Sequence, residues 1–100
     1  AYKTEQDFKY KGKDWWEWAI WIEASEEELD EIKYVEYTLH PTFYKPVRDI
    51  YERSTKFRLD TSGWGVFTIY VTVFLKNGEK NIKLEHELVL RYPDGKRTFK

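Results

Sequence analysis

The sequence predicts an all-β protein, an antiparallel β-sandwich. Three observations carry that prediction. Apolar and polar residues alternate with period two along most of the chain, Gly-bearing turn signals punctuate the alternating runs, and a single helix start stands among them. Seven to eight short strands at this spacing make an immunoglobulin-like arrangement.

The elements follow in order. A weak strand is expected at residues 2–10. Residues 14–22 alternate strongly, with Trp16, Trp18, Ile20 and Ile22 on one face and Trp15, Glu17, Ala19 and Trp21 on the other. Ser25-Glu26-Glu27-Glu28-Leu29 reads as one helical turn, with Ser25 as N-cap and Glu28 closing a capping box. It is too short to stand alone and belongs to a connection. Residues 34–40 turn Val35, Tyr37 and Leu39 inward, and a weak strand is expected at 47–51. Phe57 and Leu59 mark a short strand ending at Asp60, and Thr61-Ser62-Gly63 marks a turn. Residues 66–75 form the strongest strand, with Phe67, Ile69, Val71, Val73 and Leu75 on one face and Tyr70 and Phe74 on its back. Lys76-Asn77-Gly78-Glu79 predicts a tight hairpin turn, because Asn-Gly tolerates the positive φ that such turns need. Residues 82–91 then place Ile82, Leu84, His86, Leu88 and Leu90 inward, and Pro93-Asp94-Gly95 predicts a last turn.

Composition bounds the function. The 100 residues are expected to form a single domain over 1–100. A domain of this size needs a dense core, and 19% aromatic residues within 41% hydrophobic supply one. Seventeen Lys and Arg against 18 Asp and Glu leave a net charge of −1. That balance argues against partners held mainly by phosphate charge, so neither nucleic acid nor an anionic membrane surface is expected to bind. No apolar run approaches the ~18 residues of a membrane span, and no signal-peptide pattern opens the chain. With no Cys, disulfides, thiol catalysis and Cys-ligated zinc are excluded, which fits a reducing compartment. A chain that starts at Ala1 and has no Met is expected to be a piece of a longer protein.

Catalytic signals are weak. The histidines are His40 and His86, and no G-x-S-x-G elbow, Walker loop or Rossmann glycine motif accompanies them. His40, His86 and Glu85 or Glu87 have no diagnostic metal spacing, so no metal or cofactor is expected. Glu85 and Glu87 would stand roughly 7 Å apart on one strand face. Glycosidase carboxylates instead flank a cleft from opposite sides, so this pair reads as a solvated surface. Two loops carry residues a sandwich core does not need, one over 39–46 and the other over 60–67. In the second, Trp64 stands between Gly63 and Gly65, where flanking glycines allow unusual backbone conformations and close approach of another group. Such a ring either offers its face to a ligand or folds back as a lid over the core edge.

The ordered set of segments resembles the YEATS domain. The matching pieces are Trp18-Ala19-Ile20-Trp21-Ile22, then residues 32–40 ending in Leu39-His40, then Pro41-Thr42-Phe43-Tyr44-Lys45-Pro46, then Ser62-Gly63-Trp64-Gly65-Val66-Phe67. The Tyr-Thr-Leu-His-Pro-Thr-Phe wording looks most like the prokaryotic branch, which is associated with multidomain signalling and conflict proteins and implies a bacterial cytoplasm. The resemblance implies a non-enzymatic reader that binds acylated lysine in a channel at one end of the sandwich. Carried over by residue, Phe43 and Trp64 would form the walls, and Thr42 would stand where a Ser usually meets the acyl amide. The backbone at Gly63, Trp64 and Gly65 would meet the acyl carbonyl, and His40, Trp21 and Phe67 would line the channel. Glu87 would correspond to an acidic residue near the peptide. Tyr44 stands where Pro or Gly is frequent and would crowd the mouth. No acidic patch for a basic tail is evident in the sequence.

Three readings follow, each with its own geometric signature. An acylated peptide or protein as partner requires an open slot between Phe43 and Trp64, with Thr42 facing it. A structural or protein-interaction sandwich, docking a neighbouring domain, requires those two rings packed together. Carbohydrate binding requires a flat exposed pair formed by Trp15 and Trp21.

Overall fold

In the computed structural model, which describes residues 2–78 and 80–96, seven strands build two antiparallel sheets. One sheet has the order β1 (Lys3–Gly12), β2 (Trp15–Glu23), β5 (Leu59–Gly63). The other has the order β4 (Val47–Ile50), β3 (Ile32–Thr38), β6 (Thr68–Leu75), β7 (Ile82–Glu87). The arrangement is the predicted immunoglobulin-like sandwich. A short helix α1 (Glu26–Asp30) carries the chain from β2 to β3, and Ser25 and Glu28 close the predicted capping box at its start. No described helix is long and apolar enough to cross a membrane.

Alternation decides what enters the core. Trp16, Trp18, Ile20 and Ile22 from β2 meet Val35 and Tyr37 from β3 and Ile69, Val71 and Val73 from β6, all buried. Each such side chain contributes about 1.5–3 kcal/mol on burial. The polar groups inside are satisfied from the backbone. Tyr37 donates its hydroxyl to the Phe57 carbonyl at 2.6 Å, and burial pushes that phenol well above its ordinary range. Trp16 donates its indole N–H to the Arg91 carbonyl at 2.8 Å, and its ring packs edge-on against Tyr10 and Tyr92.

The sheets are stitched along the β1–β7 edge by side chains. Gln6 donates through Nε2 to the Val89 carbonyl (2.6 Å) and accepts the Val89 N–H (3.0 Å) on Oε1. The same Oε1 lies 2.7 Å from His86 Nε2, so that nitrogen carries the proton. His86 Nδ1 then accepts from the Thr4 hydroxyl at 2.8 Å.

Four local expectations change. Phe57 is not in a strand: it is a buried turn residue at φ 58°, and β5 starts at Leu59. Thr61-Ser62-Gly63 is not a turn but the end of β5, because pairing with Trp16, Glu17 and Trp18 of β2 outweighs turn propensity. The last long strand stops at Glu87, where the chain leaves its ladder and Val89 turns to Gln6. The Asn-Gly hairpin is a wider connection: Gly78 takes φ 76°, β7 begins only at Ile82, and Glu79 lies outside the described residues. The Pro93-Asp94-Gly95 turn is present, with Gly95 N–H donating to the Tyr92 carbonyl at 2.8 Å.

Topology also assembles an acidic surface that the linear sequence hides. Register aligns Val47, Thr38, Tyr70 and Glu85 in one row across the four-stranded sheet, and Asp49, Glu36, Thr72 and Lys83 in the next. Carboxylates far apart in sequence thereby share one outer face, so the expectation of no acidic patch is corrected.

Candidate functional site

Both aromatic loops lie at one end of the sandwich. Strand β3 ends at Thr38, opposite Val47 and Tyr70, so the 39–46 connection leaves from that rim. Strand β5 ends at Gly63 beside Trp16, and the 64–67 connection crosses from the first sheet to β6 of the second. A cavity of about 390 Å³ opens between these loops. It is of the size that takes a small molecule or a side-chain adduct.

The first loop is held from within. Leu39 N–H donates to the Pro46 carbonyl (2.7 Å) and Phe43 N–H to the His40 carbonyl (3.0 Å). Lys45 takes φ 51°, and the Arg48 guanidinium ties the carbonyls of Tyr44 and Lys45. This turn presents Thr42 to solvent and tips Phe43 inward. His40 Nδ1 receives the Thr42 backbone N–H at 3.3 Å, so it is an acceptor. The Thr42 hydroxyl, 2.9 Å from the same nitrogen, therefore donates to it. Its oxygen lone pairs are left to accept a hydrogen bond from a ligand.

The floor is aromatic. Phe43 packs tilted against Phe67 with ring centres 5.3 Å apart, and both rings meet Trp18 edge-on at 6.4 and 6.0 Å. His40 reaches the Phe67 edge at 6.0 Å. Gly63 makes room for this packing. A Cβ there would lie 3.4 Å from Phe43 Cζ and 3.8 Å from Trp18 Nε1. Its role is therefore space rather than backbone freedom, since among the described residues the positive-φ glycines are Gly12, Gly78 and Gly95. Beneath the floor, Trp18 Nε1 is buried without a hydrogen-bond partner.

Trp64 is 53% exposed and lines the same cavity. The ring contacts of Phe43 run to Trp18 and Phe67 and not to Trp64, and both Phe43 and Trp64 line the cavity. The structure thus brings His40, Thr42, Phe43, Gly63, Trp64, Gly65 and Phe67 to one cavity. Trp21 is not there. Odd positions of β2 face outward, and Trp21 donates its indole N–H to Glu23 at 2.8 Å under the Arg58 guanidinium, 5.2 Å from the ring centre. Trp15 and Trp21 consequently form no flat pair, because Trp15 lines the cavity instead.

Sequence reasoning missed Trp15, Ser62 and Val66 as lining residues. Trp15 was legible only as an outward strand residue, and its place at the rim follows from the β2–β5 register. Tyr44 is 82% exposed and lines the cavity, with the Lys45 ammonium 5.6 Å from its ring centre.

Two end loops of the β-sandwich thus share one aromatic-lined cavity. Comparison with known proteins gives the chain a family. A family model of the prokaryotic YEATS domain matches residues 16–89, and the chain belongs to that family. The Protein AF-9 homolog of Yarrowia lipolytica is 42% identical over 65 residues, covering 63% of this chain and 31% of the relative. The chain thus spans about a third of that relative's length. Among solved structures, the Yaf9 YEATS domain bound to H3K27ac superposes with a TM-score of 0.72 at 25% identity, covering 97% of this chain and 75% of that one. The Yaf9 YEATS domain recognizing an H3K122suc peptide gives 0.69 at 26% identity, with 97% and 74% covered. In those two structures the Yaf9 YEATS domain holds H3K27ac and an H3K122suc peptide.

Proposed function

We propose that this domain is a non-enzymatic reader that takes an acylated lysine, or a similar flat neutral adduct on a protein, into the slot between Phe43 and Trp64. The observation that carries this reading is the cavity of about 390 Å³ that Phe43, Trp64, Phe67 and Thr42 line together, with no ring contact between Phe43 and Trp64. Acylation converts a solvated ammonium into a neutral planar amide, so desolvation in an aromatic slot favours the modified side chain over free lysine. In this reading the amide lies between the rings of Phe43 and Trp64. The Thr42 oxygen, its proton committed to His40, accepts the amide N–H, and the backbone N–H groups of Trp64 and Gly65 meet the acyl carbonyl. Prokaryotic family membership supports a bacterial cytoplasmic setting, in which the acylated partner is a bacterial protein.

Two stacking contacts and two neutral hydrogen bonds give roughly 2–6 kcal/mol, whereas association costs about 4–15 kcal/mol. The slot alone therefore binds weakly, and flanking contacts or multivalency supply the remainder.

The test is an amide NMR titration with acetyl- and crotonyl-lysine peptides and their unmodified counterparts. Acylated peptides are expected to shift the resonances of residues 40–44 and 62–67. Trp64→Ala is expected to abolish those shifts while leaving the spectrum folded, since so exposed a side chain contributes little to stability. Unchanged wild-type spectra at millimolar peptide would refute the reading and leave a structural or protein-interaction sandwich.

A further inference from the structure

The outer face of the four-stranded sheet is the second place where large apolar side chains stay in solvent. Tyr70 is 54% exposed, Tyr51 65% and Val47 50%. Tyr34 stacks on Phe74 at 4.4 Å and on Tyr51 at 5.0 Å, forming a three-ring ladder from the residue after β4 across β3 to β6. Around these rings the register sets four carboxylates, Glu36, Asp49, Glu85 and Glu87, with Lys83 among them and the exposed Lys33 at the β3 irregularity beside Tyr34. The chain as a whole carries −1, so this concentration is local.

None of those four carboxylates has an ion pair among the described residues. Elsewhere, Glu17, Glu23, Glu26, Asp30 and Asp60 each have a cation of this chain beside them. The contrast with the outer face of the first sheet is direct. There Arg58 lies over the Trp21 ring at 5.2 Å and pairs with Asp60 at 2.9 Å, so an aromatic beside a carboxylate is filled by the protein's own guanidinium. On the second sheet Tyr70 stands beside Glu85, and Tyr34 lies near Asp49 and Glu36. Among the described residues no arginine fills either position. A guanidinium suits such a setting better than an ammonium, because it stacks on a ring and pairs with a carboxylate through two parallel N–H groups.

We propose that this outer face is a docking surface for an arginine-bearing segment of a partner protein, separate from the acyl-lysine slot. Guanidinium groups stack on Tyr70 and on the Tyr51–Tyr34–Phe74 ladder and pair with Glu85, Glu36 and Asp49.

The probe is an unacylated peptide of alternating Arg and Ala, compared with the matching Lys-Ala peptide by NMR and calorimetry on the intact chain. The Arg peptide is expected to shift amides of Glu36, Asp49, Tyr70 and Glu85, to leave residues 62–67 unmoved, and to bind more weakly as salt rises. The combined Glu36→Gln, Asp49→Asn and Glu85→Gln variant is expected to lose about tenfold in affinity. All three substitutions are at solvent-facing positions, and salt dependence on the wild type gives an independent readout. No shift with the Arg peptide, equal binding of the Lys peptide, or undiminished binding by the variant would overturn the proposal. The acylated-peptide titration reads residues 40–44 and 62–67, so failure of the slot and failure of this face are seen separately.

Discussion

At the scale of single residues, the slot depends on a side chain that is absent. Gly63 leaves room for Phe43, whose Cζ would lie 3.4 Å from an added Cβ. Alanine fits there in ordinary contact. Valine brings two further methyl groups toward the Phe43 ring and Trp18. We expect Gly63→Val to tilt Phe43 into the cavity, to weaken acyl-lysine peptide binding about tenfold or more, and to destabilise the fold by about 1–3 kcal/mol. Peptide titration and denaturant melts of Gly63→Ala and Gly63→Val measure both effects. Equal peptide affinity in the two variants would remove the steric role. The flanking glycines of Trp64 were readable as special in the sequence, but the reason for Gly63 was not. Its constraint is a neighbour brought from residue 43 by the fold.

At the scale of elements, the alternating runs were legible and their ends were not. Strand β2 buries Trp16, Trp18, Ile20 and Ile22 as its period-two pattern requires. The Ser25–Glu28 capping box also formed where the local motif set it, because capping needs only groups within one turn. Strand β5 is the opposite case, since Thr61-Ser62-Gly63 reads as a turn until β2 is there to pair with it. The same non-local logic anchors the segment just before β5. Phe57 is held at φ 58° with its carbonyl on the Tyr37 hydroxyl at 2.6 Å. Tyr37→Phe strands that carbonyl in the core, and we expect a loss of about 1–3 kcal/mol by chemical denaturation. A loss within measurement error would mean that the carbonyl finds water instead.

At the scale of the whole molecule, the Gln6–His86–Thr4 group joins the two sheets along one edge. Burial holds His86 below its ordinary pKa of 6.5, opposed in part by Glu5. The unfolded chain therefore takes up this proton before the folded one does. The stabilisation is fully present above 6.5 and is lost progressively as pH falls from there through the lower folded value. Thermal melts on both sides of 6.5 should show stability falling toward acid, and His86→Gln should flatten that part of the profile. An unaltered profile in the variant would assign the acid sensitivity to other groups.

The sequence by itself determined the fold class, the inward faces of the main strands and the two loops that carry the aromatic slot. Those properties are written in short-range alternation, local capping and an ordered set of motifs. Only the tertiary structure decided that Phe43 and Trp64 line one cavity without ring contact, that Trp21 lies elsewhere under Arg58, and that scattered carboxylates share one aromatic face. The physical reason is that such properties depend on register between strands distant in the chain. A strand displaced by a single residue would send every one of those side chains to the opposite side of its sheet.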